Sequence, residues 1–110
     1  MKLPFELQTR DIELSDDVES DIRERAGRLD HFYDRIMRCR VTVKGPGAHH
    51  RKGIHKVQID LTVPGAKIVI TRQRDLELSV ALKGAFHAAG RRLEDHVRKS
   101  RGFVKAHKAG

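Results

Sequence analysis

Tryptophan is absent from this 110-residue chain, and tyrosine and cysteine occur once each. A lone Cys39 cannot close an internal disulfide, and with no Cys-x-x-Cys pair there is no thiolate site for zinc. The sequence therefore suits a reducing compartment. No apolar run approaches the 18 residues that a membrane-spanning helix needs, and the opening Met-Lys-Leu-Pro-Phe-Glu-Leu-Gln has no apolar stretch of signal-peptide length. The expected location is the cytoplasm, with no membrane partner. Aromatic residues make up only 5% of the chain, and its strands offer no exposed aromatic pair for stacking bases, which argues against a sheet that reads single-stranded RNA; no GxxG loop supports a KH domain. Acidic residues are scarce in the second half, where Glu94 and Asp95 are the only acids between Lys83 and Lys108.

What is present is charge. Charged residues make up 35% of the chain against 38% hydrophobic, and the formal net charge is +8 with a pI near 10.2. That length supports one domain with one modest core, and that charge points to a polyanionic partner. The sign is unevenly distributed: residues 1–34 hold 5 basic and 10 acidic side chains, the remainder 18 basic and 5 acidic. The polyanion should be met by the later part of the chain.

Leu3, Phe5 and Leu7 alternate with polar residues, the period of a half-buried strand, and Pro4, which lacks an N–H, places that strand at an edge. Ser15 is a good helix N-cap, and Asp16 and Asp17 suit the positive end of the helix dipole. From there Val18, Ile22, Ala26, Leu29 and Phe32 or Tyr33 recur at helical spacing, with an end expected at 31–34. A second strand is expected over 36–44, with Met37, Cys39, Val41 and Val43 inward and Arg38, Arg40, Thr42 and Lys44 outward. Gly45-Pro46-Gly47 stops it. After a polar loop, Val57, Ile59, Leu61 and Val63 alternate inward in a third strand. Pro64-Gly65 signals a tight turn, and a fourth strand over 67–72 points Ile68 and Ile70 inward.

Asp75 is the best N-cap for the last helix. Leu78, Leu82, Ala85, Phe86, Ala89, Leu93 and Val97 form its apolar stripe, interrupted by Gly84 and Gly90, each costing about 1 kcal/mol relative to Ala. Lys83, His87, Arg91, Glu94, Arg98 and Arg101 gather on a second stripe roughly 140° away, with Arg92 and Lys99 on the other shoulder. Gly102 is expected to stop the helix, leaving 102–110 as a flexible basic tail after a domain spanning 1–101. The fold class is α+β, in the order β-α-β-β-β-α. A mixed four-stranded sheet has its first two strands parallel, and both helices pack on one face.

No catalytic constellation is present. Cys39 alternates inward and is expected to be a buried, inert thiol. His31 lies near Asp30 and Asp34, but no nucleophile accompanies them. His49, His50 and His55 lack Cys or acidic ligands at metal-binding spacing, and Arg51 and Lys52 repel a cation, so a polar loop without metal is expected. The chemistry that remains is cationic. Guanidinium groups grip phosphate with paired donors, and such contacts give affinity and position rather than base reading. The residues expected to contact RNA are Lys83, Arg91, Arg92, Arg98, Lys99 and Arg101 on the last helix. Arg38 and Arg40, with Lys52 and Lys56 in and beside the His-rich loop, complete the set; Arg38, Arg40 and Lys44 on the open sheet face are either a second contact patch or simply the wet side of an antiparallel sheet that avoids aggregation.

Three segments, taken together, resemble the ribosome hibernation promoting factor and ribosome-associated inhibitor family. They are Arg28-Leu29-Asp30-His31-Phe32-Tyr33-Asp34-Arg35-Ile36, the stretch from His50 that ends Val57-Gln58-Ile59-Asp60-Leu61-Thr62-Val63-Pro64-Gly65, and Arg92-Leu93-Glu94-Asp95-His96-Val97-Arg98-Lys99. The resemblance runs from about residue 3 to 101. It implies a β-α-β-β-β-α domain that docks on the small ribosomal subunit, in the channel between head and body, and blocks messenger RNA and tRNA without chemistry. The family's basic positions on the last helix map to Arg92, Arg98, Lys99 and Arg101. Departures are Leu78-Ser79-Val80-Ala81-Leu82-Lys83, where an acid gives way to Lys83, and His96 in place of the usual Gln. A single domain of the short form is expected, so direct pairing of ribosomes is not implied. The expected partner is small-subunit rRNA, bound by a protein monomeric off the ribosome, with no cofactor and no small-molecule substrate. The alternatives are a general folded-RNA binder or RNA chaperone, and a regulator that offers the acidic Asp16, Asp17, Glu19 and Asp21 to a basic protein.

Overall fold

The computed structural model describes residues 4–45, 55–72 and 77–109, with backbone alone for 72 and 101–109. Leu3, the Asp75 cap, and His49, His50, Arg51 and Lys52 lie outside the described residues. The elements are β1 (Phe5–Arg10), α1 (Asp16–Phe32), β2 (Arg38–Lys44), β3 (Lys56–Val63), β4 (Ala66–Arg72) and α2 (Leu78–Ala109). The four strands lie in sheet order β1-β2-β3-β4. β1 runs parallel to β2, and the other two pairings are antiparallel.

Each boundary has a local cause. Ser15 is extended, and its Oγ accepts from the Val18 N–H at 3.2 Å, satisfying one of the amides a helix start leaves open. At the other end the Tyr33 N–H donates to the Leu29 carbonyl at 3.0 Å. Pro64 and Gly65 connect β3 to β4, and Gly65 takes φ +80°, a conformation a side chain would strain. Gly45 ends the β1–β2 ladder by donating from its N–H to the Arg10 carbonyl at 2.8 Å. A Cβ at Gly45 would lie 2.4 Å from the Asp11 carbonyl oxygen, so only glycine allows the two segments to approach this closely.

Alternation along the strands sorts the sheet into two faces. Cys39, Val41, Val43, Val57, Ile59, Leu61 and Val63 are buried beneath the helices, together with Ile68 and Ile70. From α1 come Ile22, Ala26 and Leu29, and from α2 Ala81, Leu82, Ala85, Phe86, Ala89 and Leu93, all in the same cluster. No polar or charged residue is buried as a whole among the described residues, so cohesion rests on apolar burial at about 25 cal/mol per Å².

Two expectations fail locally. Met37 is 58% exposed, because β2 begins only at Arg38, and Ile36 fills the core in its place. Gly102 does not stop α2, which continues to Ala109. A glycine weakens a helix by about 1 kcal/mol without breaking it, and Lys105, Ala106, Lys108 and Ala109 beyond it are good helix formers.

Candidate nucleic-acid interface

The buried stripe of α2 fixes the rotation of the helix, and that rotation decides which side chains face outward. Leu82, Phe86, Ala89 and Leu93 point into the core, leaving Lys83, Arg91, Arg92, Arg98 and Lys99 exposed. Lys83, Arg91, Arg92 and Lys99 have no ion-pair partner among the described residues, whereas Arg98 pairs with Glu94 one turn back. Arg101 lies on the same helix, but its side chain is not described. A surface of this kind can attract phosphate through charge and hold it through guanidinium donors.

Helical geometry divides these cations between two shoulders. Lys83, His87 and Arg91 face α1. The first two join Arg25, Arg28, Leu29 and Phe86 around a hollow of about 620 Å³, and Arg91 lines a neighbouring hollow of about 350 Å³ beside Gly90 and Glu94. Arg25 and Arg28 were not among the expected contacts. They hold Asp21 at 2.8 Å and Glu24 at 3.1 Å, each one turn back on α1. The periodicity of α1 puts both on one shoulder of its buried stripe, but which shoulder meets α2 is a tertiary fact. Arg92 and Lys99 stand on the far shoulder. His96, beside them, meets Tyr33 edge-on with ring centroids 6.3 Å apart.

The open sheet face is less uniform than its composition suggests. Arg38 Nη2 lies 2.9 Å from Glu6 Oε1, and Arg40 Nε lies 2.9 Å from Glu6 Oε2. The Arg38 bond is aligned for hydrogen bonding. Arg40 Nε is close but misaligned, so its contact is an ion pair and its N–H has no acceptor. The Arg38 hydrogen bond is the largest influence holding the Glu6 carboxyl below its ordinary value; loss of hydration opposes it, and the Arg40 and Arg38 charges add to the lowering. These two arginines thus already serve one carboxylate. Lys56 is half-buried at the other end of this face, level with Lys44 across β2.

Two other features among the described residues are a buried thiol and an open cleft. Cys39 is fully buried, and loss of hydration, reinforced by the Asp60 charge, pushes its thiol up to about 12. A thiol so placed is almost wholly protonated near neutrality. His31 and Asp34 line an open cleft of about 730 Å³ with Phe32, Tyr33, Arg35, Val97 and Ser100, where the chain leaves α1 and passes α2. Among the described residues no three His, Cys, Asp or Glu side chains cluster as metal ligands, and no helix is long and apolar enough to cross a membrane.

Comparison with known proteins agrees with this architecture. Residues 5–101 match the family described as Sigma 54 modulation protein / S30EA ribosomal protein. A ribosome hibernation promotion factor from Deinococcus radiodurans is 25% identical over 89 residues, covering 81% of this chain and 46% of that protein. The chain thus spans about half the length of this relative. The Thermus thermophilus Protein Y N-terminal domain superimposes with TM-score 0.71 at 17% identity, over 86% of this chain and 98% of that one. A ribosomal subunit interface protein from Coxiella burnetii gives TM-score 0.72 at 11% identity, over 86% and 97%. At such identities the two structures establish a shared fold. With the family match spanning most of its length, the chain belongs to the Sigma 54 modulation protein / S30EA ribosomal protein family.

Proposed function

We propose that this member of the family is a ribosome hibernation factor, a binding protein rather than an enzyme. It engages small-subunit rRNA in the channel used by messenger RNA and tRNA and blocks translation by occupying it. The observation that carries this reading is the outer surface of α2, where Lys83, Arg91, Arg92, Arg98 and Lys99 are all exposed around a helix whose rotation is fixed by its core. The relative from Deinococcus radiodurans, named a ribosome hibernation promotion factor, supports the choice of polyanion. Contacts of this kind recognise the shape and backbone of folded RNA.

With about six phosphate contacts, affinity should fall with salt at a slope of about −4 to −5 on logarithmic axes. Co-sedimentation with small subunits at low salt is expected, with tRNA excluded. Reversing Lys83, Arg91 and Arg92 to Glu should lower affinity at least 100-fold while leaving the unfolding midpoint nearly unchanged, because none of the three belongs to the buried stripe. Retained binding by that variant would move the interface away from α2. Equal affinity for bulk duplex RNA and for small subunits would favour the reading as a general RNA binder.

A further inference from the structure

The sheet face opposite the helices carries its own cationic surface, concentrated at one end. Arg10, Lys44 and Lys56 stand in one cross-strand row, Arg10 level with Lys44 and Lys44 level with Lys56. Adjacent strands are about 4.8 Å apart, so the three Cα atoms fall within about 10 Å. Like charges directly opposite one another in a sheet are unfavourable, and none of the three has an ion-pair partner among the described residues. The contrast lies on the same strands: at the opposite end Arg38 and Arg40 share Glu6. The next row is uncharged but rich in hydrogen-bonding groups, Gln8, Thr42, Gln58 and Thr71 in register. The cations and the first three of these polar residues surround a shallow hollow of about 500 Å³.

We propose that Arg10, Lys44 and Lys56, with Gln8, Thr42 and Gln58 beside them, form a second RNA-backbone site. It rests on the RNA-binding reading and deepens it. The three cations take phosphate oxygens. Gln8 and Gln58 each donate one amide N–H to a neighbouring carboxylate, Glu6 at 2.8 Å and Asp60 at 3.2 Å, which leaves the second N–H and the carbonyl oxygen of each, with the Thr42 hydroxyl, for adjoining phosphates and ribose hydroxyls. No exposed aromatic side chain stands in these two rows to stack a base, so the site grips backbone without reading sequence. Val41, Val43 and Val57, which alternate with these residues, are fully buried under the helices. The site and the outer surface of α2 therefore face opposite ways, and one RNA helix cannot lie on both. The domain acts as a wedge between two RNA segments.

The test uses the full chain with Arg10, Lys44 and Lys56 changed together to Gln. A control of equal charge loss carries Arg23→Gln, Arg35→Gln and Lys67→Gln. Binding to intact small subunits is measured against salt, with unfolding curves confirming the fold of both variants. The sheet-row variant should flatten the logarithmic salt slope by about 2 to 3, at about 0.7 to 0.9 for each phosphate no longer neutralised, and the control by less than about 1. An unchanged slope, or equal flattening in the control, overturns the site. A second arm titrates the chain with a short RNA hairpin and follows backbone amide NMR shifts. Two separable sets are expected, one on α2 and one at residues 10, 42, 44, 56 and 58, and the second should vanish in the sheet-row variant. Lack of binding to small subunits with both sets present would sink the ribosomal reading and leave the sheet site standing. Absence of the sheet set alone would overturn the sheet site.

Discussion

The covered and open faces of the sheet are written in alternate residues of the same strands, yet they answer to different constraints. On β3, Val57, Ile59, Leu61 and Val63 have almost no contact with solvent, while Lys56, Gln58, Asp60 and Thr62 between them are half-buried and polar. Volume decides the first set and charge the second. The helix α2 repeats the division around its axis, with Leu93 fully buried and Arg92 beside it exposed. A total charge of +8 therefore says little about where RNA would bind. What matters is which cations lack a carboxylate of their own. By that criterion the Arg10, Lys44 and Lys56 end of the open face differs from the Arg38 and Arg40 end, although both ends are basic.

The largest effect that would break this comparison is on stability. Ile59→Ala, at a fully buried site, should cost about 2–5 kcal/mol in urea unfolding, and Leu93→Ala should fall in the same range. Gln58→Ala and Arg92→Ala, one residue away in each case, should cost less than about 0.5 kcal/mol. Similar losses at adjacent positions would mean that the two faces are not energetically distinct.

A smaller effect concerns Cys39 on the covered face. The native thiol should resist alkylation at pH 8 and react fully once unfolded in urea. Its pKa is raised from an ordinary 9.0 to about 12, so the native state keeps its proton while the unfolded chain loses one. The associated stability is present below pH 9 and declines as pH rises toward 12. Native reactivity equal to that of the unfolded chain would show the covered face to be open.

The smallest effect belongs to the open face. Glu6 titrates below its ordinary value, chiefly through its hydrogen bond from Arg38. Its contribution is present above the ordinary carboxylate pKa and is lost as pH falls through the lowered one. Glu6→Gln should flatten the acid limb of the stability profile slightly and leave the neutral region little changed. A steeper acid limb in that variant would contradict the pairing.

Much of the fold was legible because the hydrophobic periods are clean. Alternation identified Val57 to Val63, the spacing of Leu82, Phe86, Ala89 and Leu93 gave the buried side of α2, and Ser15 marked the start of α1. Some of what was missed depends on another part of the chain, and some on a competing local signal. Alternation extended to Met37 points it inward, but the pleat begins only one residue later and Ile36 occupies the core. Arg38 and Arg40 were rightly expected on the open face, yet their partner Glu6 comes from a parallel strand whose register no local pattern reveals. Arg25 and Arg28 were hidden in a helix whose first turn is acidic; only the packing of α1 beside α2 places them next to Lys83 and His87. Gly102 is a fair local signal for a helix end, but at that position good helix formers on its far side prevail.

In the proposed function the basic surface of α2 holds small-subunit rRNA in the messenger and tRNA channel. Chemical footprinting of rRNA on intact small subunits, with the chain bound at low salt, tests it most directly. Protection should appear along the channel between head and body, and should be lost in the chain carrying Lys83→Glu, Arg91→Glu and Arg92→Glu. Protection confined to other parts of the subunit, or a channel footprint that survives those reversals, would contradict it.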